Sequence, residues 1–217
     1  MKAVVFDLDG VVVDTEKYWN KAEETIYQKA TGEKVKTDEL AGMTISNTYE
    51  YLSENYKTEV NYEEFFQMYE DHAETIYKKN ADLMPRFKEL AEELKEKGLK
   101  VGVATGSYWA DYAIERFDLD FDAKSDSNMT EGNGKPDPET YLIAVKKLDV
   151  EPEEAVAVED TDAGIKSAKS AGLYCIGYEG SDGQSLEQAD ETVNGPEELR
   201  TVLLESQIKN REEPPRE

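Results

Sequence analysis

The sequence predicts an α/β protein: a parallel sheet covered by helices, with a second, helical unit inserted after the first strand. Three observations predict it. Short apolar runs recur at 3–7 ("AVVFD"), 100–104 ("KVGVA"), 155–159 ("AVAVE") and 173–176 ("LYCI"), with a weak one at 191–193 ("ETV"). Helical segments punctuated by glycine and proline separate the later runs, and strands apolar on both faces belong in a sheet buried on both sides. Residues 15–81 break the alternation, carrying helical periodicity and no convincing strand.

The first strand drives into Asp7-Leu8-Asp9-Gly10, and Asp14 follows after three valines. Residues at i and i+2 share one side of an extended chain, so Asp7 and Asp9 face the same way where the strand ends. Gly10 permits the sharp departure that follows. Burying two neighbouring carboxylates is costly, which calls for a positive partner nearby.

Within 15–81 the helical patterns span 16–30, roughly 46–56, and 61–79. In the last, Tyr62, Phe65, Phe66, Tyr69, Ala73, Ile76 and Tyr77 make one stripe, read as helix-bundle core. His72, the sole histidine, is read as structural. An insertion at this point sits above the carboxyl end of the strand, where open α/β sheets bind ligands, and reads as a lid.

Beyond it, "MPRFKELAEELKEKG" places Pro85 near a helix start and Gly98 at its end. The strand "VGVATGS" then delivers Thr105, Gly106 and Ser107 before a helix starting near Tyr108. Hydroxyls and bare amides at a helix N-terminus suit an anion, and an ordinary N-cap is the alternative. In "GNGKPDPE", Lys135 lies between a glycine-rich turn and Pro136, placed to reach inward, although a lone lysine is ordinarily a surface residue. Helices follow at 136–148 and at 161–172, the second closing on Gly172. Between them "AVAVEDTDAG" ends a strand on Glu159-Asp160, where both acids can turn to one cation. Such hard oxygen ligands suit magnesium.

The resulting division is a core of 1–14 and 82–205, a helical cap of 15–81 and a polar tail of 206–217. Forty-nine acidic against 25 basic residues give a net charge of −24, which argues against nucleic acid as a partner. Spread along helices, that charge suggests a surface suited to high salt, although abundant lysine weakens the case for an extreme halophilic origin. No apolar run is long enough to span a membrane, and the N-terminus lacks the features of a signal peptide. The single cysteine, Cys175, excludes an intrachain disulfide and reads as a small buried hydrophobe. A cytoplasmic monomer is expected.

Taken in order, "DLDGVVVDTE", "ATGS", "GKPDPE" and "VEDTDAG" resemble the four motifs of the haloacid dehalogenase superfamily, in its branch with an inserted helical cap, over roughly residues 1–205. The resemblance implies a Rossmann-like core and a magnesium-dependent phosphatase acting on a small phosphorylated metabolite. It implies Asp7 as the nucleophile that forms an aspartyl phosphate and Asp9 as acid/base, with the Asp9 carbonyl on magnesium. Thr105 and Gly106 would hold the phosphoryl oxygens, and Lys135 would bridge phosphate and Asp7. Asp160, supported by Glu159, would complete the metal site. Thr44, Ser46, Asn47 and Ser107 are candidate substrate contacts.

Carbon–halogen chemistry in the same superfamily dispenses with the second aspartate, and Asp9 is present. The related β-phosphoglucomutases hold a distal phosphate with a cap-loop arginine and carry a histidine in the first hinge helix. Here the loop "AGMTISNT" at 41–48 has no basic residue, the hinge has Tyr18-Trp19, and no arginine occurs in 15–81. Lysine gives a less directed contact to phosphate than arginine. A phosphatase is therefore favoured, with the mutase as the alternative; a silent binding module would be expected to have lost Asp7 or Asp9.

Overall fold

The structure, a computed structural model, describes residues 1–36, 40, 43–131, 134–179 and 186–205. Strands β1 (Ala3–Phe6), β4 (Lys100–Ala104), β5 (Ala123–Ser125), β6 (Ala155–Glu159), β7 (Tyr174–Tyr178) and β8 (Glu191–Val193) form one parallel sheet in the order β5-β4-β1-β6-β7-β8. The remaining strands, β2 (Val13–Asp14) and β3 (Asp82–Leu83), pair antiparallel. The Rossmann-like α/β expectation holds.

β1 is fully buried, and its neighbours are β4 on one side and β6 on the other. The chain therefore reverses direction across the sheet beside β1, which makes the crevice beyond that strand the ligand-binding position of an open α/β sheet. Register brings the ends together: Phe6 pairs with Val103 on one side and Val158 on the other. The residues that come next are Asp7, Ala104-Thr105 and Glu159-Asp160.

Helices cover both faces. Leu90 and Leu94 of α4 (Phe87–Glu96) and Leu199, Val202 and Leu203 of α8 (Pro196–Glu205) join one apolar cluster with Val4, Phe6, Val101 and Val158. Tyr141, Ala144 and Val145 of α6 (Glu139–Lys147) and Ile165 and Ala168 of α7 (Asp162–Ser170) join the other, with Val5, Ala157 and Cys175. Cys175 is buried on β7, as expected.

Residues 15–81 hold α1 (Glu16–Thr31), α2 (Ile45–Asn55), α3 (Tyr62–Thr75) and a π-helical turn, Ile76–Asn80. The β2–β3 pair clasps the entry and exit of this segment. A capping box on Asn61 and Glu64 starts α3 one residue later than predicted, and the predicted single helix of 61–79 ends in the π-helical turn. Pro85 sits outside its helix, which begins at Phe87 with Arg86 left-handed at the cap. The helix expected near Tyr108 is α5 (Ala110–Phe117). The tail 206–217 lies outside the described residues, as do Ala41 and Gly42 of the 41–48 loop.

Candidate active site

Asp7 leaves β1 with its amide still bonded to the Val158 carbonyl at 2.9 Å, so its buried side chain is fixed at the crevice floor. Lys135 arrives from the loop before α6, its Nζ 2.6 Å from Asp7 Oδ1 and 3.1 Å from the Ala104 carbonyl, and also on Glu159 Oε1. Burial works against the Lys135 ammonium, but the charges of Asp7 and Glu159 prevail and hold its pKa above the ordinary value. Lys135 is therefore no surface lysine. It is a positive partner for the buried carboxylates of Asp7 and Glu159.

Asp9 is held on the opposite side. Thr15 donates to its Oδ1 at 2.6 Å, and the Tyr77 hydroxyl lies 2.8 and 3.0 Å from its two oxygens. Burial raises the Asp9 pKa, while Thr15 and Tyr77, which favour the ionised form, pull it down. Desolvation is the largest of these effects and outweighs the hydroxyls.

Burial lifts Asp7 to about 8 against the pull of Lys135, with Glu159 and Asp9 adding to the rise. Asp160 is pushed up to about 9 by burial and then by Asp7 and Glu159. One lysine does not discharge this many buried acids.

The donors fit a cation. Ligand oxygens of Asp7, Glu159 and Asp160 all lie within 4.8 Å of one another. Glu159 is already engaged, accepting from Lys135 and from Tyr141 at 2.7 Å on Oε1, and from Thr161 at 3.3 Å on Oε2. Asp160 Oδ1 is buried with no hydrogen-bond partner, a costly state unless an ion meets it. The chain makes room for these acids with two glycines. A Cβ on Gly10 would lie 1.7 Å from Asp160 Oδ2, and one on Gly164 2.0 Å from the Glu159 carboxylate.

Thr105 is buried at the end of β4, where its Oγ1 accepts from the Ser107 amide at 3.0 Å. A side chain at Gly106 would meet nothing within 4 Å, so this residue faces open space in front of Asp7 and Lys135. The strand ends thus converge on one crevice holding a carboxylate pair, a lysine, a hydroxyl and an acidic cluster, an arrangement suited to phosphoryl transfer.

The sequence matches the family described as haloacid dehalogenase-like hydrolase over residues 4–178. The chain belongs to that family. Over 94% of its length it is 33% identical to a β-phosphoglucomutase of Bacillus subtilis, of which it covers 94%. Over a similar 94% it is 31% identical to a phosphorylated carbohydrates phosphatase of Thermotoga maritima, covering 99% of that protein. A crystal structure of β-phosphoglucomutase from Clostridium difficile superposes with a TM-score of 0.75 at 27% identity, covering 90% of this chain and 91% of that one. As a haloacid dehalogenase-like hydrolase with phosphatase and phosphoglucomutase relatives, the chain is a phosphoryl-transfer enzyme.

In this hydrolase a cavity of about 260 Å³ opens between the crevice and the helical segment, lined by Asp7, Asp9, Thr105, Gly106, Ser107 and Lys135 below. Above, it is lined by Trp19, Glu23, Met43, Ile45, Tyr69 and Tyr77. Ser107 joins the site through its Oγ, 3.0 Å from the Tyr77 hydroxyl. Thr44 caps α2, accepting from the Asn47 amide at 3.2 Å, and lines a neighbouring cavity that also reaches Lys135. Ser46 and Asn47 are exposed and line neither cavity, so the loop contacts expected from sequence reduce to Thr44.

Sequence reading missed Thr15, Tyr77, Glu23 and Trp109. Tyr69 and Tyr77 lie in the aromatic stripe assigned to the helix core; both are buried as expected, yet both also line the cavity. A tyrosine in a core stripe carries no local mark of a second role. His72 does not line the cavity.

Proposed function

We propose that the protein is a magnesium-dependent phosphatase that hydrolyses a small phosphomonoester through an aspartyl phosphate on Asp7. The observation that carries this reading is the division of labour between the two aspartates. Asp7 is paired with the Lys135 ammonium at 2.6 Å, while Asp9 is bonded instead by the hydroxyls of Thr15 at 2.6 Å and Tyr77 at 2.8 Å.

A Asp7 carboxylate oxygen attacks phosphorus as the bond to the leaving alcohol breaks, and Asp9 gives its proton to that alcohol. Water then attacks the same phosphorus, Asp9 takes its proton, the bond to Asp7 breaks, and phosphate leaves. Lys135, Thr105 and the Gly106 amide would hold the phosphoryl oxygens. Asp7, Asp160 and the Asp9 carbonyl would hold magnesium, with Glu159 anchoring Lys135 beside it. The ion would neutralise phosphate charge and let the anionic nucleophile approach.

The identity to a β-phosphoglucomutase supports a second reading, a phosphosugar mutase. Against it, no arginine or lysine of the described helical segment lines the cavity, so no cap side chain of opposite charge is placed to hold a second phosphate. A panel of phosphomonoesters, with magnesium and then with EDTA, separates the two. Phosphate release that needs magnesium and disappears in Asp7→Asn supports the phosphatase. Isomerisation of a hexose phosphate primed by a bisphosphate, without phosphate release, supports the mutase.

A further inference from the structure

Glu23 stands apart from the groups used so far. It projects from α1 into the cavity, half-buried, opposite the crevice that holds Asp7 and Asp9. Tyr69 approaches its Oε1 at 3.5 Å, and the Tyr69 hydroxyl is in turn 3.1 Å from that of Tyr27. Burial raises its carboxyl to about 7, against the two tyrosines that stabilise the charged form.

A half-buried carboxyl on an otherwise aromatic and apolar wall is costly unless it does something there. The walls on either side are Trp19, stacked between Tyr69 and Trp109 with ring centroids 6.0 and 5.8 Å away, together with Met43 and Ile45. Lys135 is the single basic side chain among the described residues lining the cavity, and it lies at the crevice floor beside Asp7 and Glu159. The upper cavity therefore offers hydrogen-bond acceptance and apolar contact, but no counter-charge for an anion.

We propose that Glu23 is a specificity-determining residue: its carboxyl accepts hydrogen bonds from hydroxyl groups of the leaving alcohol and disfavours an alcohol that carries a second anionic group. The proposal rests on the phosphatase reading above. It makes the substrate class a monophosphate of an uncharged, hydroxylated molecule, whose carbon skeleton lies against Trp19 and whose hydroxyls reach Glu23. A second phosphate or a carboxylate in the same place would face Glu23 with no cation to offset it, at a cost that like charges impose in a partly dry site.

The test compares kcat/KM for three probes of similar length: a polyol monophosphate, its deoxy analogue lacking the distal hydroxyls, and the corresponding bisphosphate. The wild type is expected to prefer the polyol monophosphate over each of the others by about tenfold or more, the size of one charged hydrogen bond. Glu23→Leu should collapse the preference over the deoxy analogue, mainly through KM, and Glu23→Gln, which keeps an acceptor oxygen, should restore most of it. A wild type that favours the bisphosphate overturns the proposal, as does a preference that Glu23→Leu leaves intact. Failure of the wild type to release phosphate from any probe with magnesium would instead overturn the phosphatase reading. Circular dichroism melts of both variants confirm that the compared proteins are folded.

Discussion

The Tyr77 hydroxyl reaches both oxygens of Asp9 from the far side of the cavity, and Trp19 Nε1 lies 3.4 Å from it. Tyr77→Phe removes that donor and keeps the ring that packs in the core. Steady-state kinetics should show kcat falling about tenfold, and the melting temperature should drop by several degrees, because a hydrogen bond to a charged group contributes roughly 1.5–3 kcal/mol to the folded state. An unchanged kcat would mean that Tyr77 does not position Asp9. Glu23 supplies a pH-dependent counterpart. Its folded pKa of about 7 exceeds the ordinary 4.5, so the stabilisation from its proton is full below 4.5 and is lost as pH rises through 7. Glu23→Gln is free of that loss. Its stability relative to wild type should gain about 1–2 kcal/mol between pH 4.5 and pH 8, discounting for partial exposure, and parallel stability curves would contradict the assignment. Asp7, Asp9, Lys135 and Asp160 were expected together from the order of the four motifs at strand ends, each weak by itself. Thr15, Glu23 and Tyr77 were not, because what distinguishes them is where the helical segment folds back, as with the Tyr77–Asp9 bond across 68 positions.

Among the elements, the four strongly apolar strands were legible because they are short, rich in β-branched residues and separated by helical segments that glycine and proline punctuate. β5 was not. Its sequence is Ala-Lys-Ser, and it is a strand because Gly102, Val103 and Ala104 of β4 offer it an edge. The two-residue strands β2 and β3 exist through each other, and the π-helical turn shows no period separate from that of α3. That turn carries Tyr77, and Arg116 of α5 holds it to the core by donating to the Tyr77 carbonyl at 2.8 Å. The start of α7 offers a sharper test. Thr161 caps the helix through the Gly164 amide at 3.1 Å, and Gly164 packs against the Glu159 carboxylate. Because Lys135, Tyr141 and Thr161 pin that carboxylate, it cannot yield to a new methyl group. Gly164→Ala, ordinarily a gain within a helix, should therefore destabilise by about 1–3 kcal/mol in chemical denaturation. A stabilised variant would show that the Glu159 network is loose.

Across the whole molecule, the sheet order places the chemistry at the switch point beside β1; the motifs placed it at strand ends, but the order of the strands in the sheet was not legible in the sequence. The net charge of −24 has a consequence for rates rather than for the fold. Such a surface repels phosphorylated substrates at low ionic strength, and added salt screens it over a Debye length that shrinks from about 30 Å at 0.01 M to about 3 Å at 1 M. We propose that the surface is adapted to saline conditions, and kcat/KM should rise as salt is raised from low to moderately high concentration. A monotonic fall over the same range would remove that proposal. The helical segment would close over the crevice, and its aromatic wall would exclude bulk water while the phosphoryl group resides on the protein. Rapid quench with a radiolabelled phosphomonoester and magnesium detects that residence. Acid-stable label is expected on the protein within the first turnover and not in Asp7→Asn, and borohydride reduction of the quenched protein should release that label as phosphate and leave homoserine at position 7. Phosphate release with no protein-bound label at any quench time, or label on another residue, would contradict it.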